Sequence, residues 1–209
     1  MELNPCLHIE SVSYRFDRRT MFANWSASLE PGITWLRGAN GAGKTTLLKL
    51  LGGALTLQHG AIRLNGIDQH RDPLRYRRAT FLCSGEIPAL PWLTVHEVLA
   101  LHMSLYRPSE TRSLQAHVTA FGLDRTMAQP VTTLSLGQHK KLMLAIALAL
   151  PVTLLLFDEP FNGLDAEATA YFRQQLGDTM RQARQCILMT SHTDPGLPIA
   201  ATLDLASQA

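Results

Sequence analysis

The stretch GANGAGKT, from Gly38 to Thr45, constrains the fold of this chain more than any other. It fits the pattern G-x-x-x-x-G-K-[ST] and stands between a strand-like run, ITWLRG, and a helix-like run, KTTLLKLLGGAL. Glycines let successive backbone N–H groups turn towards phosphate oxygens, and the start of the helix adds its positive dipole end. The pattern therefore predicts a phosphate-binding loop in an α/β fold.

The chemistry of this loop assigns roles to two of its side chains. Lys44 is expected to reach the β- and γ-phosphates of a nucleotide, and the Thr45 hydroxyl is expected to bind Mg²⁺. The residues expected to surround the phosphates are Gly38, Ala39, Asn40, Gly41, Ala42, Gly43, Lys44, Thr45 and Thr46.

A second motif, LLLFDE from Leu154 to Glu159, ends an apolar strand with two carboxylates. Asp158 is expected to hold the Mg²⁺ shell, and Glu159 is expected to polarise a water molecule. An acidic pair at a strand end could instead cap a helix, but the phosphate loop upstream favours a catalytic pair. A carboxylate near a γ-phosphate suits a water nucleophile, so the motif predicts hydrolysis rather than transfer to another substrate.

Composition limits the class of protein. A chain of 209 residues suits one domain with a sizeable core. With 19 basic and 17 acidic residues there is no general electrostatic attraction for nucleic acid, so nucleic acid is not an expected partner. The three cysteines are scattered and lack metal spacing, which favours a reducing, cytosolic setting over a disulfide framework or a zinc site. The N-terminal run MELNPCLHIESV does not have the pattern of a signal peptide.

One apolar run, LMLAIALALPVTLLLF from Leu142 to Phe157, invites a membrane interpretation. It is shorter than the roughly 20 residues that span a bilayer, and Pro151 interrupts it. We expect a buried helix that ends near Leu150, followed by a buried strand.

The rest of the chain predicts one domain, 1–209, made of a core and an insertion. Strands are expected at LHIESVSYRF and FANWSASL, and a strand, turn and strand at GAIRLNGID. A helical subdomain is expected at about 83–130, with Thr94 as the N-cap of TVHEVLALHMSLY and a second helix at SLQAHVTAFGL. The core, 1–82 and 131–209, then continues with one helix at AEATAYFRQQLGDTMRQA and a strand at CILMTSH.

The stretch LSLGQ, from Leu134 to Gln138, resembles the LSGGQ signature of ATP-binding cassette (ABC) ATPases, with Leu136 in place of the first glycine. The other motifs follow the order of that family: the phosphate loop, the signature, LLLFDEP, FNGLD like the D-loop, and TSH like the switch histidine. The resemblance covers nearly the whole chain. It implies an α/β, P-loop (RecA-like) ABC nucleotide-binding domain with an antiparallel β-subdomain and a helical subdomain, acting as an ATPase on ATP with Mg²⁺.

The resemblance also implies roles for residues that the other motifs leave open. His192 is implied to contact the γ-phosphate, so that the catalytic residues are Lys44, Glu159 and His192. Phe16 stands where the family has an aromatic residue that stacks on the base, with Tyr14 as the alternate; both could instead pack the β-subdomain.

A helix start with serine and glycine is itself a ready anion site. In the family, the signature of one subunit closes over the nucleotide that the other subunit holds. Ser135, Gly137 and Gln138 are therefore expected to bind the nucleotide of a second copy of the chain, or of a paralogous ABC subunit.

The family further implies a separate integral membrane transporter subunit and a cytoplasmic location, peripheral on the inner face of the cell membrane. Trp92 and Leu93 are candidates to meet this partner, although they could equally pack within the helical subdomain. The compact chain is similar to exporter ATPases, namely the haem-exporter ATPases of cytochrome c maturation and those of the ABC-2 kind. An exporter subunit is therefore expected.

One family feature is missing from the sequence. The glutamine that the family has between core and helical insertion is absent from FLCSGEIPALPWLTVHE, where Ser84, Gly85 or Glu86 takes its place. A carboxylate at Glu86 could meet Mg²⁺, or it could stay solvated.

Two rival functions remain at this level. One is a soluble cassette ATPase that remodels a macromolecular complex. The other is a regulatory subunit that holds ATP without turning it over. The presence of Lys44, Asp158, Glu159 and His192 favours turnover instead.

Overall fold

The computed structural model describes residues 6–17, 19–84, 90–106 and 111–205, the side chains of residues 111 and 112 excepted. Its strands form two sheets. The antiparallel sheet has the order β2-β1-β4-β5, and the parallel sheet has the order β6-β7-β8-β3-β9. The strands are β1 (Leu7–Phe16), β2 (Arg19–Leu29), β3 (Gly32–Arg37), β4 (His59–Leu64), β5 (Ile67–Asp68), β6 (Thr80–Cys83), β7 (Leu154–Phe157), β8 (Cys186–Thr190) and β9 (Ile199–Asp204).

Helices join and cover these sheets. They are α1 (Lys44–Leu51), α2 (Pro73–Arg78), α3 (Val95–Leu105), α4 (Thr111–Ala120), α5 (Leu136–Ala149), α6 (Ala166–Leu176) and α7 (Thr179–Gln182). The predicted buried helix and buried strand around Pro151 are confirmed as α5 and β7. Among the described residues, no helix combines the length and the apolar character that crossing a bilayer requires.

The parallel sheet is built around two strands, β7 and β8, whose residues are all apolar except Thr190. All residues of β7 and β8 are buried, as expected for parallel strands covered on both faces. The strands β7, β8 and β3 are neighbours, so the loops after their carboxyl ends meet at one edge of the sheet. In open α/β sheets this edge is where ligands bind.

The helix predicted over AEATAYFRQQLGDTMRQA is wrong as a single element. Helix α6 ends at Leu176, with Gly177 as its C-cap, and a new helix begins at Thr179. The Asp178 side chain accepts hydrogen bonds from the N–H groups of Met180 and Arg181, which caps α7. Glycine is a weak helix former and aspartate a strong N-cap, so these two residues together outweigh the helical pattern around them.

Helix α1 is also shorter than its pattern suggested. It begins at Lys44, because Gly43 has a left-handed φ of 97°, and it ends before the pair Gly52 and Gly53. The short helix α2, which no motif indicated, begins at Pro73 after an Asp72 cap. The predicted N-cap of α3 is confirmed, since Thr94 and Glu97 form a reciprocal capping box.

The helices α3 and α4 are attached to the core partly through a buried histidine. His117 of α4 has its Nδ1 atom hydrogen-bonded to the Tyr171 hydroxyl of α6 at 2.7 Å, and its Nε2 atom lies 3.2 Å from the Ser113 hydroxyl. Burial, together with the nearby charge of Arg181, lowers the pKa of His117 to about 4. The folded chain therefore holds this histidine neutral.

We expect this histidine to make stability depend on pH. Because its pKa is lowered in the folded state, the unfolded chain takes up a proton first as the pH falls. The contribution of His117 to stability is therefore complete above about pH 6.5 and is lost as the pH falls towards about 4. The midpoint of thermal denaturation of a His117→Gln variant should fall less between pH 7.5 and pH 4.5 than that of the parent chain.

The matched control is His96→Gln, since His96 is exposed on the neighbouring helix α3. Some pH dependence will remain in every variant, because burial also lowers the pKa values of His102 and His139. Equal pH slopes for His117→Gln and the parent chain would contradict this account of His117.

Candidate functional site

A cavity of about 580 Å³ opens at the carboxyl ends of β3, β7 and β8. This volume is in the range typical of small-molecule sites. Its lining comes from four separate parts of the chain: the β1–β2 hairpin, the phosphate loop with the start of α1, the end of β7, and the loop after β8. The lining residues are Phe16, Arg19, Met21, Asn40, Gly41, Gly43, Lys44, Thr45, Thr46, Asp158, Glu159 and His192.

The phosphate loop requires glycine at position 43, directly before α1, for two reasons. Gly43 has a left-handed φ of 97°, and an added Cβ atom would lie 3.1 Å from Met21 Cε and 3.2 Å from Phe22 Cζ. The loop therefore packs directly on β2, while α1 starts immediately after Gly43 with no acidic residue in its first turn. Its free N–H groups and dipole favour an anion at this point.

The ammonium group of Lys44 lies across the same loop. Its Nζ donates hydrogen bonds to the carbonyl oxygens of Gly38, at 2.8 Å, and Ala39, at 3.1 Å. The Ala42 N–H also donates to the Ala39 carbonyl, at 3.1 Å, which closes the turn. The loop thus brings a positive charge and several N–H groups together at the cavity.

Asp158 connects three elements of the core. Its Oδ2 atom accepts a hydrogen bond from Thr45 Oγ1 of α1 at 2.7 Å, and its Oδ1 atom accepts one from Thr190 Oγ1 of β8 at 2.8 Å. Its own N–H donates to the Cys83 carbonyl at the end of β6. This carboxylate is therefore oriented from both sides.

The pair of Thr45 and Asp158 suits a hard cation. Hydroxyl and carboxylate oxygens are the ligands that Mg²⁺ prefers, and such sites normally take further oxygens from substrate phosphates and water. Within the described residues, no cluster of three or more His, Cys, Asp or Glu side chains could hold a metal by itself. Any Mg²⁺ at this wall of the cavity would take its remaining ligands from a bound ligand or from water.

Glu159 has an unusual backbone and a partly unsatisfied side chain. Its φ of 47° lies in the left-handed region, which is rare for a residue with a side chain. Its Oε2 atom accepts a hydrogen bond from the His192 N–H at 3.3 Å, and its Oε1 atom lies 3.5 Å from His192 Nε2. Oε1 is buried and, apart from this ion-pair contact with His192, has no hydrogen-bond partner among the described residues, while Glu159 as a residue lines the cavity.

The two aromatic candidates for base stacking differ in exposure. Phe16 is 46% exposed and lines the cavity, whereas Tyr14 is 8% exposed and belongs to the core. The Tyr14 ring meets the Phe16 ring edge-on, with 5.0 Å between their centroids. Of the two, only Phe16 is available to a ligand in the cavity.

The start of α5 lies outside the cavity of its own chain. Ser135 and Gln138 form a reciprocal capping box, in which each side chain accepts a hydrogen bond from the N–H of the other residue, at 3.2 Å and 2.9 Å. Gly137 approaches the Gly163 carbonyl so closely that a Cβ atom would lie 3.1 Å from it. Of the other predicted nucleotide contacts, Phe16, Asn40, Gly41 and residues 43–46 line the cavity, and Gly38, Ala39 and Ala42 belong to the same loop without lining it. Ser135, Gly137 and Gln138 neither line the cavity nor belong to that loop.

Besides Met21, which lines the cavity, three other residues at or beside it were not predicted. Arg19 lines it and donates from Nη2 to the Gly41 carbonyl at 3.1 Å. Thr190 hydrogen-bonds both Asp158 and the N–H of Glu159, and Lys140 donates to the Glu159 carbonyl. Thr190 lies two residues before His192, inside the recognised TSH stretch, but nothing in the pattern marks it as a hydrogen-bond partner.

The junction between core and insertion is partly described. Ser84 follows β6 and is half-buried, while the alternative positions Gly85 and Glu86 lie outside the described residues. Trp92 is 70% exposed, whereas Leu93 packs against the core, so the two candidates for partner contact are not equivalent.

Comparison with known proteins identifies the family. The family model described as ABC transporter matches residues 22–162. The cytochrome c biogenesis ATP-binding export protein CcmA of Pseudomonas syringae pv. tomato is 34% identical over 208 residues, covering 97% of this chain and 96% of the relative. The protein of the same name from Paramagnetospirillum magneticum is 33% identical over 90% of this chain and 88% of its own length.

Comparison with solved structures finds the same family. A solved ATP binding subunit of an ABC transporter superposes with a TM-score of 0.80 at 27% identity, covering 90% of this chain and 79% of that chain. The predicted α/β P-loop fold and the predicted resemblance to exporter ATPases are confirmed by these similarities. The chain therefore belongs to the ABC transporter family, in which it is a nucleotide-binding, ATP-hydrolysing subunit.

Proposed function

We propose that this chain is the ATPase subunit of an exporter whose membrane-spanning part is a separate protein. The observation that carries the proposal is the cavity, where a phosphate loop, Asp158, Glu159 and His192 meet in one chain. The similarity to ATP-binding export proteins over nearly the whole length supports export rather than import. The subunit would lie on the inner face of the cell membrane, held there by its partner.

ATP would bind with its phosphates on the loop from Gly38 to Thr46. Lys44 would exchange its two carbonyl contacts for oxygens of the β- and γ-phosphates, which is favourable because a charged acceptor replaces neutral ones. The exposed face of Phe16 would stack on the adenine, and Arg19 would add a second positive charge beside the phosphate loop.

Mg²⁺ would be held by the Thr45 hydroxyl and the Asp158 carboxylate, together with phosphate oxygens. When bound, it would neutralise part of the negative charge on the phosphates. The existing hydrogen bond between Thr45 and Asp158, 2.7 Å long, supports this assignment because it places both oxygens at one wall of the cavity.

Glu159 and His192 would handle the attacking water. The Glu159 carboxylate would orient the water and take its proton, and His192 would contact the γ-phosphate from its exposed position beside this carboxylate. Hydrolysis of ATP needs both the loop that holds the phosphate and the carboxylate that faces it, and the cavity contains both.

The start of α5 would serve a second chain. Since Ser135, Gly137 and Gln138 lie outside their own cavity, they would contact the nucleotide of another copy or of a paralogous ABC subunit. The capping box satisfies the N–H of Gln138, whereas the N–H groups of Leu136 and Gly137, which precede it, have no partner within the helix and favour an anion. Two copies that exchange this contact form a closed, symmetric pair.

We expect a Glu159→Gln variant to bind ATP and to hydrolyse it about 10²- to 10⁴-fold more slowly, the usual contribution of a general base. The amide keeps the shape of the side chain but cannot accept a proton from water. Phosphate release and binding of a fluorescent ATP analogue, measured on the same samples, would check this. Glu167→Gln, at an exposed position on α6, is the matched control. Unchanged hydrolysis by Glu159→Gln would remove Glu159 from the proposed mechanism.

The transport assignment has a separate test. Tagged Glu159→Gln protein, expressed in its native host and recovered from gently solubilised membranes, should carry a stoichiometric polytopic membrane protein that mass spectrometry identifies. Recovery with ribosomes or nucleic acid, or without any partner, would contradict the exporter proposal and support a soluble remodelling ATPase.

A further inference from the structure

The backbone of Glu159 is held by side chains on both sides. Its N–H donates to Thr190 Oγ1 at 2.8 Å, and its carbonyl accepts a hydrogen bond from Lys140 Nζ at 2.7 Å. A left-handed φ of 47° costs free energy for a glutamate and persists where surrounding contacts impose it. These two hydrogen bonds are contacts of that kind, and the residue that they hold lines the cavity.

Lys140 is an unusual residue to find at this place. It is half-buried on α5, it does not line the cavity, and burial lowers its pKa although Cys83, Asp158 and Glu159 oppose that effect. A buried ammonium group requires an acceptor, and among the described residues Nζ donates to the Glu159 carbonyl. Thr190 belongs to the same sheet as β7, whereas Lys140 connects Glu159 to a separate helix.

The first half of α5 is attached to the segment after β7 at three points. Lys140 contacts Glu159, Lys141 contacts Asp165 with 2.5 Å between Nζ and Oδ2, and Gly137 lies directly against the Gly163 carbonyl. These attachments span residues 159–165, so this segment and the start of α5 form one packed unit. A displacement of the helix start would therefore be transmitted to the peptide of Glu159.

We infer that Lys140 is a positioning residue for ATP hydrolysis, which fixes the peptide of Glu159 so that the carboxylate faces the cavity. Lys140 touches neither the nucleotide site nor the water; it acts through Glu159. It also makes the position of this carboxylate depend on the start of α5. The inference rests on the proposed role of Glu159 as the residue that activates water.

The test compares Lys140→Met, which keeps the apolar stem but not the donor, with Lys140→Arg, which can still donate to a carbonyl. We expect Lys140→Met to lower kcat per bound nucleotide by about 10-fold or more, in line with the cost of misplacing a catalytic group. The dissociation constant of a fluorescent ATP analogue should change by less than about 2-fold, because Lys140 does not line the cavity. Lys140→Arg should recover much of the rate.

Two further variants guard against a purely structural effect. Lys140→Gln, whose shorter side chain cannot reach the carbonyl, should behave like Lys140→Met. Arg125→Met removes one positive charge from an exposed position outside the cavity, and it should leave kcat per bound nucleotide unchanged. Because the rate is expressed per bound nucleotide, unfolded protein does not lower it. A parent-like kcat in both Lys140→Met and Lys140→Gln would overturn the inference.

A double variant shows whether Lys140 acts through Glu159. In a Glu159→Asp background, where the carboxylate is already displaced, Lys140→Met should slow hydrolysis by less than about 3-fold, because interacting residues are not additive. A full additional 10-fold loss would overturn the inference. If Glu159→Asp and Glu159→Gln hydrolyse ATP like the parent chain, the proposed function of Glu159 fails. If they lose activity and the Lys140 variants do not, the role of Lys140 alone fails.

Discussion

The Asp158 carboxylate, held between the hydroxyls of Thr45 and Thr190, is the interaction on which the rest of the site depends. It joins the first turn of α1 to the ends of β7 and β8. These elements come from distant parts of the chain, and the carboxylate links the phosphate loop directly to the strand ends. The parallel order of β7, β8 and β3 makes the contact possible, since it brings their carboxyl ends to the same edge.

From this point the site extends in two directions. Towards the cavity, Glu159 and the exposed His192 side chain line the wall beside the phosphate loop. Away from the cavity, Lys140 and Lys141 connect the same segment to α5. The residues that cap α5, Ser135 and Gln138, are therefore part of a unit that includes Glu159. A ligand bound at the start of α5 would act on the same unit that holds the Glu159 carboxylate.

Much of the site could be predicted because its motifs are contiguous. The phosphate loop is one run of residues whose spacing follows from how a backbone surrounds phosphate, and the pair of Asp158 and Glu159 follows a strand of four apolar residues. Thr190 and Lys140 could not be predicted, because their hydrogen bonds to Glu159 join residues 31 and 19 positions apart. Tertiary folding brings them together, and no local pattern records it.

The choice between Tyr14 and Phe16 also needed the structure. Both lie on β1 two positions apart, so alternation predicts the same face for both, but the register of β1 with β2 is irregular between Tyr14 and Arg15. The core covers Tyr14 and leaves Phe16 at the end of the strand, in the cavity. Helix α7 was not predicted as a separate element, because the local cap at Asp178 outweighs a continuous helical pattern.

We propose that each ATP site is shared between two chains. Sedimentation velocity of the Glu159→Gln protein with ATP and Mg²⁺, and separately with ADP, tests it directly. A dimer with ATP and a monomer with ADP is predicted. Leu136→Glu, which places a negative charge at an exposed first-turn position without removing the cap, should keep the protein monomeric with ATP. A monomer with ATP in the Glu159→Gln protein, or a dimer that Leu136→Glu leaves intact, would contradict the claim.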